Sequence, residues 1–272
     1  MALKDILVHL DNQESCQLRL DAAIRLAQTH DAHVSALYVI PDIVVPTSAE
    51  VHIPTEILQE QEARAQAEKS GEHFRQVLDR NGCNGEWHCS KGFADQQIQR
   101  HARYTDLIVL GQSKDESFLS AYADLPDQVV MGSARPVLFV PYIGTRNTLG
   151  KRIMVAWNGS REAVRAVNDA LPLLQTAEFV DVVAVNPPDN AGDIPTADIC
   201  LHLARHDVRA EASQTVAKDI DVGDVLLSRA ADHDIDLIVM GAYGHTRLRE
   251  SILGGVTKNL LEHMTVPVLM SH

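Results

Sequence analysis

The sequence is poor in several features that specialised surfaces require. Aromatic residues fill 4% of its 272 positions although the apolar share is 45%, so the core must be built from aliphatic side chains and alanine, as in layered α/β proteins. No run of 18 or more apolar residues occurs, and no membrane-spanning helix is expected. Positive charge is scarce. Lys and Arg number 24 against 37 Asp and Glu, a formal charge of −13, with no basic cluster; a phosphate backbone would be repelled over most of the surface, which disfavours nucleic acid as a partner. Cysteines are few and scattered, at Cys16, Cys83, Cys89 and Cys200. The opening segment places Lys4 and Asp5 before a short apolar run that soon meets Asp11, unlike a secretory h-region. A cytoplasmic protein with reduced thiols is expected.

What is present is repetition. Lys4-Asp5-Ile6-Leu7-Val8-His9-Leu10-Asp11-Asn12 corresponds to Lys151-Arg152-Ile153-Met154-Val155-Ala156-Trp157-Asn158-Gly159. Asp106 to Gly111 matches Asp236 to Gly241, and Arg135 to Val140 matches Val266 to Met270, in the same order. Such self-similarity sets the architecture before any motif is considered. Between the matched strands the apolar period turns helical, as at Leu18, Ala22, Ala23 and Leu26, and again at Ala163, Val164, Val167, Ala170, Leu171 and Leu174. Short, continuously apolar strands alternating with amphipathic helices predict an α/β fold of two repeated open parallel five-stranded sheets with helices on both faces. Strands are expected near 4–10, 33–40, 84–90, 106–111 and 136–141, then near 152–157, 179–185, 208–215, 236–241 and 266–271. The turn-rich stretch Tyr142 to Gly150 is the expected linker between a domain at 1–142 and a domain at 151–272. Pro41 to Pro54 reads as a loop, and Thr55 to Leu78 as a long, charged, solvated helix.

The motif with chemical content follows the strand ending at Met240. Gly241-Ala242-Tyr243-Gly244 is separated by nine residues from Gly254-Gly255-Val256-Thr257, which opens a helical stretch. Glycines permit positive φ and close backbone approach, and amides at a helix N-terminus face outward without intrachain partners, so the segment can cradle phosphate oxygens. The same glycines could instead serve only to end a strand and start a helix.

Gly241-x2-Gly244-x9-Gly254, followed by a small residue and Val256, resembles the ATP-binding signature of the universal stress protein family, and the likeness extends to the strand and helix order of both halves. It implies a fold of the adenine nucleotide alpha hydrolase type and a stress-response or signalling module that binds ATP in its C-terminal half without robust catalysis. Where the family usually has Ser or Thr, this chain has Gly255, which loses a hydroxyl contact and keeps an amide donor. Where the family has an Asp near the ribose, this chain has Asn158, which can still hydrogen-bond a hydroxyl. The resemblance places Ala156, Val185 and Met240 around adenine; each fits plain core packing equally well. It also implies pairing through the last strand of each half, making an internal pseudo-dimer of Pro136 to Val140 with Val266 to Met270, and leaves a homodimer open.

The first half departs from the signature, with Gln112-Ser113-Lys114-Asp115 after Gly111 and Asp124-Leu125-Pro126 where the later glycines would stand. An acidic side chain repels phosphate and Pro126 supplies no amide, so ATP is not expected there. Asp11 leaves another small ligand open in that crevice. His202 and His206 with Cys200, and Cys83 with His88 and Cys89, lack a convincing further ligand, so no metal is assigned. No nucleophile elbow surrounds Ser160, which reads as a helix N-cap. No catalytic residue is assigned. The competing reading is an enzyme of the wider adenine-nucleotide-binding α/β class, a slow ATPase or nucleotidyl transferase, whose His-x-Gly-His and Ser-Gly-Gly-x-Asp-Ser signatures do not occur.

Overall fold

A computed structural model describes residues 2–41, 53–112, 124–187, 196–217, 219–244 and 255–272. The N-terminal half runs β1 (Asp5–Leu10), α1 (Cys16–His30), β2 (His33–Ile40), α2 (Ile53–Asn81), β3 (Gly85–Lys91), α3 (Ala94–Ala102), β4 (Leu107–Gly111), α4 (Leu125–Gly132) and β5 (Val137–Val140). The C-terminal half runs β6 (Arg152–Ala156), α5 (Arg161–Asp169), α6 (Leu171–Leu174), β7 (Phe179–Val185), α7 (Ala197–Ala204), β8 (Ala210–Thr215), α8 (Val222–Asp232), β9 (Leu237–Gly241), α9 (Gly255–His263) and β10 (Val268–Ser271). The loop expected over Pro41 to Pro54 falls mostly on 42–52, outside the described residues.

The two expected sheets are one. Strand order is β3-β2-β1-β4-β5-β10-β9-β6-β7-β8, parallel within each half and antiparallel where β5 meets β10, with Phe139 opposite Val268, Leu138 opposite Leu269 and Val137 opposite Met270. An uncharged Val- and Leu-rich edge left open would be a template for other chains; here each covers the other. The internal pseudo-dimer therefore takes the form of a fused sheet. The outer edges, β3 and β8, alternate between exposed and partly buried positions, as strands covered on one side do. Central β1, β4, β6 and β9 are buried at nearly every position, because helices lie on both faces. One core packs α1, α2 and α5 against the sheet, and the other packs α3, α4, α8 and α9 on its opposite face; each runs through both halves.

The repeated aspartates have a structural task. Asp236, 1% exposed, accepts the amides of Gly150 (3.0 Å), Lys151 (3.1 Å) and Arg152 (3.0 Å), tying the start of β6 to β9. Asp106 does the same for β1 with the amides of Lys4 (2.7 Å) and Asp5 (3.1 Å). In the linker, Gly144 and Gly150 take left-handed φ values of 90° and 79°, and Arg25 of α1 donates to Thr145 Oγ1 at 3.0 Å and to the Arg146 carbonyl.

Candidate functional site

Where β6 ends, the chain turns sharply into α5. The Ser160 amide donates to Asn158 Oδ1 (3.0 Å), Gly159 adopts φ 72°, and Ser160 Oγ accepts the Ala163 amide (3.2 Å). Ser160 is thus the N-cap of α5 that its sequence context suggests. Next to it β9 ends at Gly241, and the Ala242 amide donates to the Ser271 carbonyl at 2.8 Å. The two strand ends diverge, because β6 continues to β7 on one side while β9 continues to β10 on the other. This is the reversal in strand order at which open α/β sheets leave a crevice.

A cavity of ≈ 250 Å³ occupies that crevice. Its walls include Ala156, Asn158, Val185, Met240, Gly241, Gly244, Gly255 and Val256, all singled out from the sequence; Gly254 lies outside the described residues. The structure adds Trp157, Val183, Val222, Leu226, Tyr243 and Thr257. Trp157 and Tyr243 sit inside motifs already visible in the sequence. Val222 and Leu226 are one helical turn apart on α8, and an i, i+4 apolar pair does not announce that it faces a cavity rather than a core.

Two glycine roles differ from expectation. Neither Gly241 nor Gly244 has a left-handed φ; that conformation falls on Tyr243, at φ 56°. A Cβ on Gly241 would lie 2.5 Å from both Ala163 N and the Glu162 carbonyl carbon, so this glycine exists to let the end of β9 touch the start of α5. Among the described residues, a Cβ on Gly244 would meet nothing nearer than Glu162 Oε2 at 3.4 Å. Glu162 is 3% exposed. Burial pushes its carboxyl up, but the adjacent Arg161 guanidinium (Nε to Oε1 2.5 Å) and nearby hydrogen bonds leave it below the usual range and ionised.

The corresponding crevice of the N-terminal half measures ≈ 20 Å³ and is lined by residues that include His9, Asp11, Arg19, Gln112 and Pro126. Among the described residues, a side chain takes up most of it. Arg19, 2% exposed on α1, lies against Gly111 and makes a bidentate pair with Asp11, with Nη1 to Oδ2 at 3.0 Å. Burial raises the Asp11 carboxyl, yet the Arg19 guanidinium more than reverses this and holds it below the usual carboxylate range. The Arg19–Asp11 pair adds an obstruction that the sequence did not show. Pro126 lines the closed crevice, Asp124 stands exposed before α4, and the crevice is filled by Arg19 and Asp11. The strand-end aspartate is engaged by its own half.

Beside this pair, His9 is 1% exposed, and its pKa falls from 6.5 to about 4, through burial first and the Arg19 charge second. Unfolded chains take up a proton there below about pH 6.5 that the folded chain refuses until about pH 4. Stability from this residue is complete above 6.5 and drains away as pH falls through that window. Between pH 7 and pH 5 the loss should be about 2 kcal/mol. Urea titrations at both pH values will show it if His9→Asn loses correspondingly less than wild type; equal losses would refute it.

Histidines also meet elsewhere, His202 with His206 at 4.7 Å between ring centroids and His88 with His101 at 4.8 Å. Among the described residues, no group of three or more His, Cys, Asp or Glu is arranged to hold a metal. No helix among them is long and apolar enough to cross a membrane.

A doubly covered parallel sheet, repeated once and carrying a crevice at the switch point of its C-terminal repeat, defines a tandem α/β protein. The profile described as "Universal stress protein family" matches residues 2–141 and again 150–272. The chain belongs to the universal stress protein family. It is similar to the universal stress protein Slr1230 of Synechocystis, 24% identical over 60% of this chain; the match spans 57% of that relative's length. A universal stress protein from Archaeoglobus fulgidus shares the fold over 98% of this chain and 95% of its own, at TM-score 0.78 and 18% identity. A universal stress protein solved in complex with cAMP matches 52% of this chain and 99% of its own, at TM-score 0.40 and 16% identity; cAMP is that protein's ligand.

Proposed function

We propose that this chain is a nucleotide-binding stress-response or signalling module that takes one ATP per molecule, in a C-terminal domain spanning 151–272, while a domain spanning 1–142 carries a degenerate phosphate loop. The observation that supports this reading is the contrast between ≈ 250 Å³ of cavity in one half and ≈ 20 Å³ at the matching place in the other. The larger cavity lies slightly below the roughly 300–1,000 Å³ of sites that engulf drug-sized ligands, which suits a base and sugar inside with phosphates at the rim. In this reading adenine sits among Ala156, Val185 and Met240. Asn158 Oδ1 is committed to the Ser160 amide, so its Nδ2 donates to a ribose hydroxyl. Phosphates reach toward Gly244, Gly254, Gly255 and Val256, where Arg161 offsets the ionised Glu162. Free thiols at all four cysteines suit a cytoplasmic location.

Calorimetry on the full chain should give one ATP site per molecule. Two equivalent sites, or none, would overturn the proposal. Turnover in the same preparation should stay far below the roughly 1–100 s⁻¹ of kinases, since no lysine of the Walker type accompanies the loop.

A further inference from the structure

One wall of the C-terminal cavity is held from the other half of the chain. Tyr243 lines the cavity and is 4% exposed. Its left-handed backbone is a conformation that bulky residues rarely adopt unless the surroundings impose it. Two partners do so. The Tyr243 amide donates to Thr257 Oγ1 on α9 (3.4 Å), and its phenol donates to Asp127 Oδ1. Asp127 belongs to α4 of the N-terminal half and takes no part in lining the cavity. A second bond crosses the same junction, from Gln112 Nε2 to the Glu262 carbonyl of α9 at 2.9 Å, beside the β5–β10 ladder. Both Tyr243 and α9, whose first residues also line the cavity, are thereby anchored across the junction.

We infer that the C-terminal ligand site is completed by the N-terminal half: Asp127 is a positioning residue that fixes Tyr243, and occupancy of the cavity is coupled to the docking of α4 and β5 against the C-terminal half. The inference deepens the nucleotide reading and rests on it. A phenol bonded to a carboxylate is a charge-assisted contact, and a ring so held presents a preorganised wall, sparing the ligand the cost of ordering it. Coupling of this kind is reciprocal. If junction contacts favour the ligand, the ligand must tighten the junction by the same factor. It also gives a role to a half whose own crevice is closed.

The test uses the full chain and MgATP, with Asp127→Ala, Tyr243→Phe and the double variant compared by calorimetry. Each single change should weaken ATP about tenfold, within what a hydrogen bond to a charged acceptor carries. The double variant should bind no worse than the weaker single, because both changes remove the same bond. Asp127→Asn, which keeps an acceptor oxygen, should recover part of the loss and guards against a folding defect in Asp127→Ala. In hydrogen exchange, ATP should slow the amides of Val137 to Val140 in wild type and fail to do so in Asp127→Ala; a merely structural aspartate would not abolish that response. Wild-type affinity in Asp127→Ala, additive effects in the double variant, or β5 exchange indifferent to ATP in wild type would each overturn the coupling while leaving the nucleotide reading intact. Wild type that does not bind ATP would overturn the nucleotide reading, and the coupling with it.

Discussion

Gly241→Ala is expected to destabilise the protein by about 3 kcal/mol, at the upper end of what overpacking usually costs, whereas Gly244→Ala should leave folding within about 0.5 kcal/mol of wild type. The two glycines stand in one loop and look interchangeable in the sequence. Their surroundings are not. At Gly241 the new methyl would lie 2.5 Å from two backbone atoms at the start of α5, and a capped helix packed on the sheet cannot retreat as a flexible side chain would. At Gly244 the nearest atom among the described residues is a carboxylate oxygen at 3.4 Å, an ordinary contact. Urea-unfolding midpoints of the two variants decide the matter. Similar midpoints would mean that the approach of β9 to α5 is looser than described. A bulkier Gly244→Val should retain a near-normal midpoint and still weaken ATP, if phosphates pass over that position.

Asp236→Ala should cost on the order of 3–5 kcal/mol, and Asp106→Ala clearly less. Losing the partner of a buried donor costs about 1–3 kcal/mol per group, and Asp236 serves three amides from an almost fully buried position. Asp106 is half-buried and serves two, one of them at the exposed Lys4, where water can substitute. Asp236→Asn should fall between wild type and Asp236→Ala, because it keeps one acceptor and turns a donor toward another donor. Denaturant titration of the three variants gives the ranking. If Asp106→Ala proved the more damaging, solvent access would not be what separates the two sites.

The sequence by itself determined the periodic features. Continuous apolar runs such as Ile6 to Val8 and Leu237 to Met240 can be satisfied only by strands covered on both faces, and their recurrence in order makes the repeat legible. The glycines from Gly241 to Gly255, with Asn158 at the end of the neighbouring strand, marked where a crevice would open, since the loops at strand C-termini part there. The fate of the two five-stranded units was legible in part. Uncharged edge strands predict pairing, and their antiparallel fusion into one sheet satisfies it.

Tertiary structure decided the rest, and the reason is common to each case: a period says which face a residue occupies and is silent about where a long side chain ends. Arg19 lies on α1 like any other helix residue, yet its guanidinium folds back to pair with Asp11 and fills the N-terminal crevice. Tyr243 sits between glycines that could have taken the left-handed turn, but takes it itself, with its amide bonded to Thr257 and its phenol to Asp127. Asp127 is separated from Tyr243 by 116 positions, and no local pattern encodes a bond over that distance. Local sequence specified the repeated sheet and the place of the crevice; packing of individual side chains across the molecule determined which crevice stayed open.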